Sequence, residues 1–288
     1  MFEHLIKRAE DIVEALPYLK KYRGRIMVIK YGGNVLSAPS VGKKMIEDIV
    51  LLKYAGINPV LVHGGGPEIT KIIQDKGAQT KFIEGMRVTT PQTMRIVESV
   101  LAKINANLSS SIKKAGADAV SFCGKKGKLF KAKKHLVKTS KGKILDLGLT
   151  GTVQSVNKAA ILKAIKGDAI PVVTSIGVGP GGKDYNINAD HAASALASAL
   201  KAAKLILLTD VRGVLDHEGK LLSVVSATKV NGLIKDGIIS GGMIPKVRAA
   251  IDALSHGVEK VHIIDGKIPR ALLLELFTNA GIGTMVVR

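Results

Sequence analysis

Ile26-Met-Val-Ile-Lys30-Tyr-Gly-Gly-Asn34 and Pro59-Val-Leu-Val-His63-Gly-Gly-Gly-Pro67 decide the fold. Each is a short aliphatic run ending on glycines. Each leads to a helical pattern, Met45 to Tyr54 after the first and Glu68 to Asp75 after the second. Strands buried on both faces read as continuous apolar runs, and strands alternating with helices imply a mainly parallel sheet covered on both sides. Right-handed crossovers bring both glycine turns to the carboxyl edge of that sheet, where α/β proteins bind ligands. Glycine there lets backbone N–H groups approach an anion, and a following helix amino end adds a favourable dipole. Lys30 leads the first turn. The competing reading is that the glycines only make tight strand-to-helix turns.

Working outward, the alternation continues: helix 92–115, strand 118–123, a hairpin-like region, helix 157–166, strand 169–176, helix 189–202, strand 204–209, helix 243–256, strand 259–264 and helix 269–280. At the other end, Phe2, Leu5, Ala9, Ile12, Val13 and Leu16 recur at helical spacing. Pro17 ends or kinks that helix, with a short continuation through Tyr18 and Leu19. This helix either packs on its own subunit or serves another contact.

The chain of 288 residues is 46% hydrophobic, enough for a substantial core, but carries 43 Lys and Arg against 23 Asp and Glu, a net charge of +20. Such an excess fits nucleic acid, an acidic membrane surface, anionic substrates or a solvated Lys-rich surface. Nine lysines fall between Lys125 and Lys143, with no acid before Asp146. This stretch reads as a solvated hairpin or as a docking surface for an anionic partner. A nucleic-acid binder would need aromatic stacking platforms, yet Trp is absent and aromatics are 3%. No nucleic-acid partner is expected. Cys123 is the only cysteine, so an intrachain disulfide and a Cys-based zinc site are both excluded, as suits a reducing cytosol. Lys or Asp interrupts every apolar run before about 18 residues. Glu3, Glu10, Asp11 and Glu14 break up the first segment, which is therefore no signal peptide. A cytoplasmic enzyme without membrane contact is expected.

Two nucleotide signatures fail. GxxxxGK[ST] is absent, and Gly177-Val-Gly-Pro-Gly-Gly182 satisfies GxGxxG but runs into Lys183-Asp-Tyr185 instead of a helix. Tyr185-Asn-Ile-Asn-Ala-Asp190 opens an Ala-rich helix, with Asp190 in its first turn or cap; capping alone would account for an acid there. Gly241-Gly-Met-Ile-Pro-Lys246 delivers a lysine onto another helix, where a solvated role is the ordinary one. There is no His/Cys ligand cluster and no GxSxG elbow. Together these features fit phosphoryl transfer, which asks the protein for cations and N–H donors around a developing charge, with Mg²⁺ on the nucleotide. A carboxylate acceptor is already ionised, so no general base is required.

Over nearly its full length the sequence resembles the amino-acid kinase family and, within it, the acetylglutamate kinases. The motifs are those quoted above together with Gly85-Met-Arg-Val-Thr89 and Leu208-Thr-Asp-Val-Arg-Gly-Val-Leu-Asp216, in matching order and spacing. The resemblance implies a three-layer αβα sandwich on a central, mainly parallel open sheet, in two lobes. Residues 25–185 would bind acetylglutamate and dimerise, and residues 186–288 would bind ATP; residues 1–24 would form an oligomerisation helix. It implies ATP with Mg²⁺ as phosphoryl source and N-acetyl-L-glutamate as acceptor. Lys30 and Lys246 would stabilise the transferring phosphoryl group, Asp190 would hold the two lysines, and Gly33 and Gly65 would donate N–H groups to it. Gly65, Gly66, Arg87 and Asn186 would bind the acceptor, with Arg87 pairing its α-carboxylate, a bidentate task suited to a guanidinium. A structural salt bridge is the alternative for Arg87. Thr209 and Asp210 would line the nucleotide site.

The ends resemble the arginine-inhibited branch of hexamers built as trimers of dimers. Tyr18, His262, Glu275 and Gly283 would form the L-arginine site, Glu275 supplying the anion. The pattern leaves open whether a nitrogen-signalling protein docks. Three positions depart from it: Thr90 and Lys126 replace frequent acids, and Arg270 stands where histidine is common beside the effector site. Glutamate, aspartate, carbamate or nucleoside monophosphate are rival substrates, and a silent regulatory subunit is a rival role; Arg87 with the Tyr185–Asp190 motif, and intact Lys30, Asp190 and Lys246, argue against each in turn.

Overall fold

Met27 to Tyr31 are all buried, so this run has no solvent face to offer, and it forms the central strand β1 (Ile26–Tyr31). The computed structural model describes residues 2–32, 39–124, 128–138, 142, 144–279 and 281–288. Two helices precede β1, α1 (Glu3–Glu14) and α2 (Leu16–Tyr22). After it come α3 (Pro39–Tyr54), β2 (Asn58–His63), α4 (Gly66–Asp75), a small hairpin of β3 (Phe82–Ile83) and β4 (Met86–Arg87), and the long α5 (Pro91–Lys114). Then follow β5 (Ala119–Phe122), β6 (Phe130–Lys138), β7 (Ile144–Val156), α6 (Lys158–Lys166), β8 (Ile170–Thr174), β9 (Ile176–Val178) and β10 (Asp184–Ile187). The last part carries α7 (Ala189–Leu200), β11 (Lys204–Thr209), β12 (Val224–Ser226), α8 (Val230–Lys235), α9 (Met243–Ser255), β13 (Lys260–Asp265), α10 (Ala271–Phe277) and β14 (Thr284–Val287).

Eight strands form one sheet in the order β12-β14-β13-β11-β1-β2-β8-β5. Every pair is parallel except β13 with β14, which is antiparallel, so the expected mainly parallel open sheet is what the chain forms. Side chains alternate across it. Val28, Val60, Leu205, Leu207 and Ile263 pack with Leu196, Ala250 and Leu254 of α7 and α9 on one face. Met27, Ile29, Leu61, Ile206 and Leu208 pack with Ile49, Ile112 and Leu272 of α3, α5 and α10 on the other. Each such fully buried aliphatic side chain contributes about 1.5–3 kcal/mol relative to exposure, so these two layers fix the sheet edge on which the site is built.

Several elements differ from the sequence reading, each for a local reason. The break expected at Pro17 falls at Ala15, and the short continuation is α2, with Pro17 in its first turn, where proline loses no hydrogen bond. The segment 169–176 is two strands: after Thr174 the chain leaves the main sheet, and β9 joins β6, β7 and β10 in a closed barrel. The lysine-rich stretch is a hairpin as expected, β6 against β7, and β7 runs on to Val156 as a wall of that barrel; Lys125, Lys126, Lys141 and Lys143 lie outside the described residues. Helix 269–280 shortens to α10 because Arg270 is left-handed at φ +64° and Thr278 is extended. The GxGxxG run is the turn between antiparallel β9 and β10. Gly177 and Gly179 answer to packing: a Cβ at Gly177 would sit 2.7 Å from Ile187 Cδ1, and one at Gly179 would fall still closer to Tyr185 Cε2. α1 buries none of its residues, and Phe2, Leu5, Ile6, Ile12 and Val13 are exposed, so it does not pack on its own subunit. No described helix is long and apolar enough to cross a membrane.

Candidate active site

β1 and β2 end side by side, with Tyr31 registered on His63, so both glycine turns open at one edge. Gly64 N–H donates to Tyr31 O (3.1 Å), which ties the second turn to the first strand. Gly65 caps α4 and Gly66 begins it, and the first N–H groups of a helix have no intrahelical acceptor. Gly65 has no room for a side chain: a Cβ would lie 2.8 Å from Ile104 Cδ1 and 2.9 Å from Leu101 Cδ2 of α5. Gly33 lies outside the described residues.

Lys30, at the end of β1, and Lys246, in the first turns of α9, meet on Asp190 of α7. Lys30 Nζ lies 3.0 Å from Asp190 Oδ1, and Lys246 Nζ donates to Oδ2 at 3.0 Å. Lys30 and Asp190 are 6% and 4% exposed, so these pairs are desolvated and strong in both attraction and burial cost. Burial would raise the Asp190 carboxyl, but the two ammonium groups outweigh it and hold the acid well below the usual carboxylate range. Burial lowers the Lys30 ammonium, opposed by Asp190 and reinforced by Lys246. Asp190 is not the helix cap. Asn188 accepts from the N–H groups of Asp190 (2.8 Å) and His191 (3.3 Å), leaving the Asp190 carboxylate to the lysines.

Arg87 forms the opposite wall. Its Nη2 donates to Gly66 O and Thr70 Oγ1, both at 2.9 Å, and Nη1 donates to Thr80 Oγ1 at 3.2 Å; the guanidinium sits 4.7 Å from the Phe82 ring centroid. Every one of these partners is neutral, and Arg87 forms no ion pair with a described carboxylate. Burial lowers its pKa to about 10, still fully charged at neutral pH. A buried guanidinium without a counter-charge is costly unless an anion completes it. Asn186 donates to Thr89 Oγ1 (3.1 Å), and Thr150 Oγ1 donates to Arg87 O (2.5 Å), bracing that wall. Lys30, Gly64–Gly66, Arg87, Asn186 and Asp190 thus line one cleft of about 190 Å³. Thr90, one of the departures, caps α5 by accepting from Thr93 N–H (3.1 Å). Thr209 ends β11 and Asp210 follows it at the same sheet edge, beside the Lys30 strand. Among the described residues no cluster of three or more His, Cys, Asp or Glu side chains could hold a metal ion.

A second cluster surrounds α10. His262 Nδ1 lies 2.5 Å from Glu275 Oε1, Ile282 N–H donates to Glu275 Oε2 (2.9 Å), and the Tyr18 hydroxyl bonds Asn279 Oδ1. Gly283 backs directly onto the Ile263 carbonyl. Burial would raise Glu275, yet His262 and the Ile282 N–H hold it below its ordinary value. Arg270 is committed elsewhere, to Glu47 (2.6 Å) and Asp48 (2.8 Å) of α3. Sequence reasoning missed Lys204, a buried lysine 5.1 Å from the Tyr22 ring centroid; a lone charge in the apolar β11 run was the available signal. It also missed Thr89, Thr150, Ser175 and Asn188 around the first cleft. Only Asn188 had a legible signal, its spacing ahead of the helix.

Residues 25–265 match the sequence profile of the Amino acid kinase family. The chain is 49% identical over 290 residues to the acetylglutamate kinase of Syntrophobacter fumaroxidans, covering 99% of this chain and 97% of that protein. Among solved structures, N-acetylglutamate synthase from Neisseria gonorrhoeae complexed with coenzyme A and N-acetyl-glutamate superposes with a TM-score of 0.86 at 26% identity. That match covers 97% of this chain but 63% of the longer synthase. The same synthase complexed with coenzyme A and L-arginine gives 0.82 at 26% identity, covering 97% and 65%.

Proposed function

The chain belongs to the amino acid kinase family, and on that premise we propose that it transfers the γ-phosphoryl group of ATP to the side-chain carboxylate of N-acetyl-L-glutamate. The products are N-acetyl-L-glutamyl 5-phosphate and ADP, as in the second step of arginine biosynthesis. The observation that carries the reading is the cleft with paired, buried lysines on one wall and, on the other, Arg87, which pairs with no described carboxylate. Arg87 and Asn186 take the α-carboxylate end of the acceptor. The side-chain carboxylate, already ionised, then faces Lys30 and the Gly65 N–H. In-line transfer spreads negative charge over the phosphoryl oxygens, and ammonium groups held in place beforehand stabilise that charge without reorganising. Asp190 supplies the holding: by binding both lysines it keeps two like charges close together in a desolvated site. Thr209 and Asp210 lie on the nucleotide side, in the lobe of residues 186–288, and residues 25–185 make the acceptor lobe. Mg²⁺ enters on the nucleotide, ligated by phosphate oxygens, the usual mode for that ion.

The reading extends to control. L-Arginine binds beside α2 and α10, where Tyr18, His262, Glu275 and Gly283 gather, its guanidinium meeting the Glu275 carboxylate. The exposed apolar face of α1 joins dimers into a hexamer, and its lack of any buried residue supports that role.

The test is ADP release with N-acetyl-L-glutamate, ATP and Mg²⁺, run beside glutamate and aspartate, with and without arginine. Turnover that requires acetylglutamate is expected, with suppression by arginine. Turnover on another acceptor alone would overturn the substrate, and indifference to arginine would remove the effector site.

A further inference from the structure

His63 is wholly buried and does not itself line the cleft, yet its ring is held from both sides. Asn105 of α5 donates its amide N–H groups to Val172 O of β8 (3.0 Å) and to His63 Nε2 (3.0 Å). Val172 O can only accept, so the amide nitrogen must face it, and the same nitrogen leaves Nε2 the acceptor. The proton therefore sits on Nδ1, which lies 3.0 Å from Gly64 O, again an atom that can only accept. The two ends of the chain agree on one tautomer. Asn105 Oδ1 meanwhile has no hydrogen-bond partner among the described residues, a cost accepted to keep the amide in this orientation.

Gly64 is thus pinned twice, its N–H on Tyr31 O and its carbonyl on His63. The bond from Gly64 to Gly65 is trans, so its carbonyl and the Gly65 N–H point in opposite directions. Fixing the carbonyl toward His63 therefore aims the Gly65 N–H away from His63, and Gly64, Gly65 and Lys30 all line the cleft. We infer that His63 is a positioning residue, locked by Asn105 as the Nδ1–H tautomer so that its bond to Gly64 O orients the Gly65 N–H toward the transferring phosphoryl group. This rests on the phosphoryl-transfer reading of the cleft. Burial lowers the His63 pKa to about 4, which keeps the ring neutral and the tautomer unchanged through the working range.

The experiment compares His63→Asn with His63→Gln. The Asn amide nitrogen falls where Nδ1 was and can still donate to Gly64 O; the Gln amide reaches the Nε2 position and leaves that carbonyl unbonded. Positioning predicts that His63→Asn keeps kcat within several-fold. His63→Gln should lose about ten- to hundredfold, somewhat less than deleting an oxyanion-type donor outright, with the KM for acetylglutamate moving much less. A role in packing predicts the reverse, since Gln fills more of the space. Gln equal to or better than Asn in kcat, or kcat tracking melting temperature across both variants, would overturn the inference. A second measurement needs no turnover: ¹⁵N spectra of histidine-labelled wild-type protein should show His63 as a slowly exchanging Nδ1–H tautomer from pH 6 to 9. An Nε2–H tautomer would overturn the inference even in an active enzyme. A wild-type protein inactive on acetylglutamate would instead overturn the substrate reading, leaving the tautomer measurement to decide the positioning.

Discussion

Asp190→Asn removes one charge and little volume from the centre of the site. The helix start should survive, because Asn188 caps α7 and its bonds go to backbone N–H groups, which the substitution keeps. What is lost is the attraction of two ammonium nitrogens at 3.0 Å each. At an effective dielectric constant of about 20, each contact is worth about 5 kcal/mol of Coulomb energy. Most of that is offset by the cost of burying the three charges, and breaking a buried pair by removing one partner costs about 3–5 kcal/mol net. Lys30 is then left buried with Lys246 as its nearest charge, so the two lysines move apart or Lys30 loses its proton. Either result removes preorganised charge from the transferring group, for which a fall of about 10²–10³ in kcat is expected. Steady-state kinetics at saturating ATP give the kcat, and urea unfolding of both proteins gives the stability difference. With both lysines still protonated, that difference should stay flat from pH 5 to 8, because the contribution of a depressed carboxyl is complete above the unfolded value and is lost as pH falls below it. A variant that gains stability as pH rises would mark Lys30 as the group that has lost its proton. A variant with kcat within threefold of wild type and an unchanged urea midpoint would refute the role given to Asp190.

Arg87→Lys retains the charge but cannot reproduce the bonds to Gly66 O, Thr70 and Thr80; the KM for acetylglutamate should rise about ten- to hundredfold with a smaller change in kcat, checked in the same assay. Gly65→Ala forces Leu101 and Ile104 to give way by several tenths of an ångström, or moves the turn; kcat should fall at least tenfold, while melting temperature drops by only a few degrees. Lys204 carries a pH signature. Burial brings it from 10.5 to about 8, so between those values the unfolded chain holds the proton more tightly and wild type gains stability as pH rises. Measured against Lys204→Met, that gain should approach about 3 kcal/mol at 1.36 kcal/mol per pH unit, and a flat difference from pH 8 to 10.5 would remove the buried charge from the account.

The parts of the fold legible in sequence were those written in a two-sided code. Strands β1, β2, β8 and β11 have apolar cores on both faces, so each appears as a continuous run, with β13 broken only by His262, and the glycines after β1 and β2 mark the turn as well as the edge. The barrel was not legible in this way. β7 has few buried positions and changes register twice against β6, so no periodicity of 2 survives along it. Ser175, where the chain leaves one sheet for the other, is an unremarkable serine within an apolar run. β14 was not read as a strand, because four residues are too few to show alternation. In the site, the resemblance to the amino-acid kinases singled out Lys30, Arg87 and Lys246, but separating Asp190 from a capping role required seeing Asn188 take the cap. Thr89 and Thr150 could not be found beforehand, since a buried hydroxyl bracing a carbonyl leaves no mark on composition or spacing.

The order of the strands gives a physical reason for the proposed site to fall at Lys30. From β1 the chain crosses to β2, then out to β5 and back to β8 on one side, and later to β11, β12, β13 and β14 on the other. Loops leaving the carboxyl ends of β1 and its two neighbours therefore diverge, and a crevice opens at the point where the order reverses. The β2 loop brings the glycines and α4 to one flank, and the β11 loop brings Thr209 and Asp210 to the other. A reaction joining two bound molecules needs both flanks and a cation between them, and the only strand adjoining both is β1. Its last residues carry Lys30, whose charge must be desolvated to act strongly and neutralised to be tolerated. Asp190 answers the second need from α7, which packs under the same strand. Lys246 enters from α9, so the pair of lysines is assembled from elements that the sheet order alone brings together.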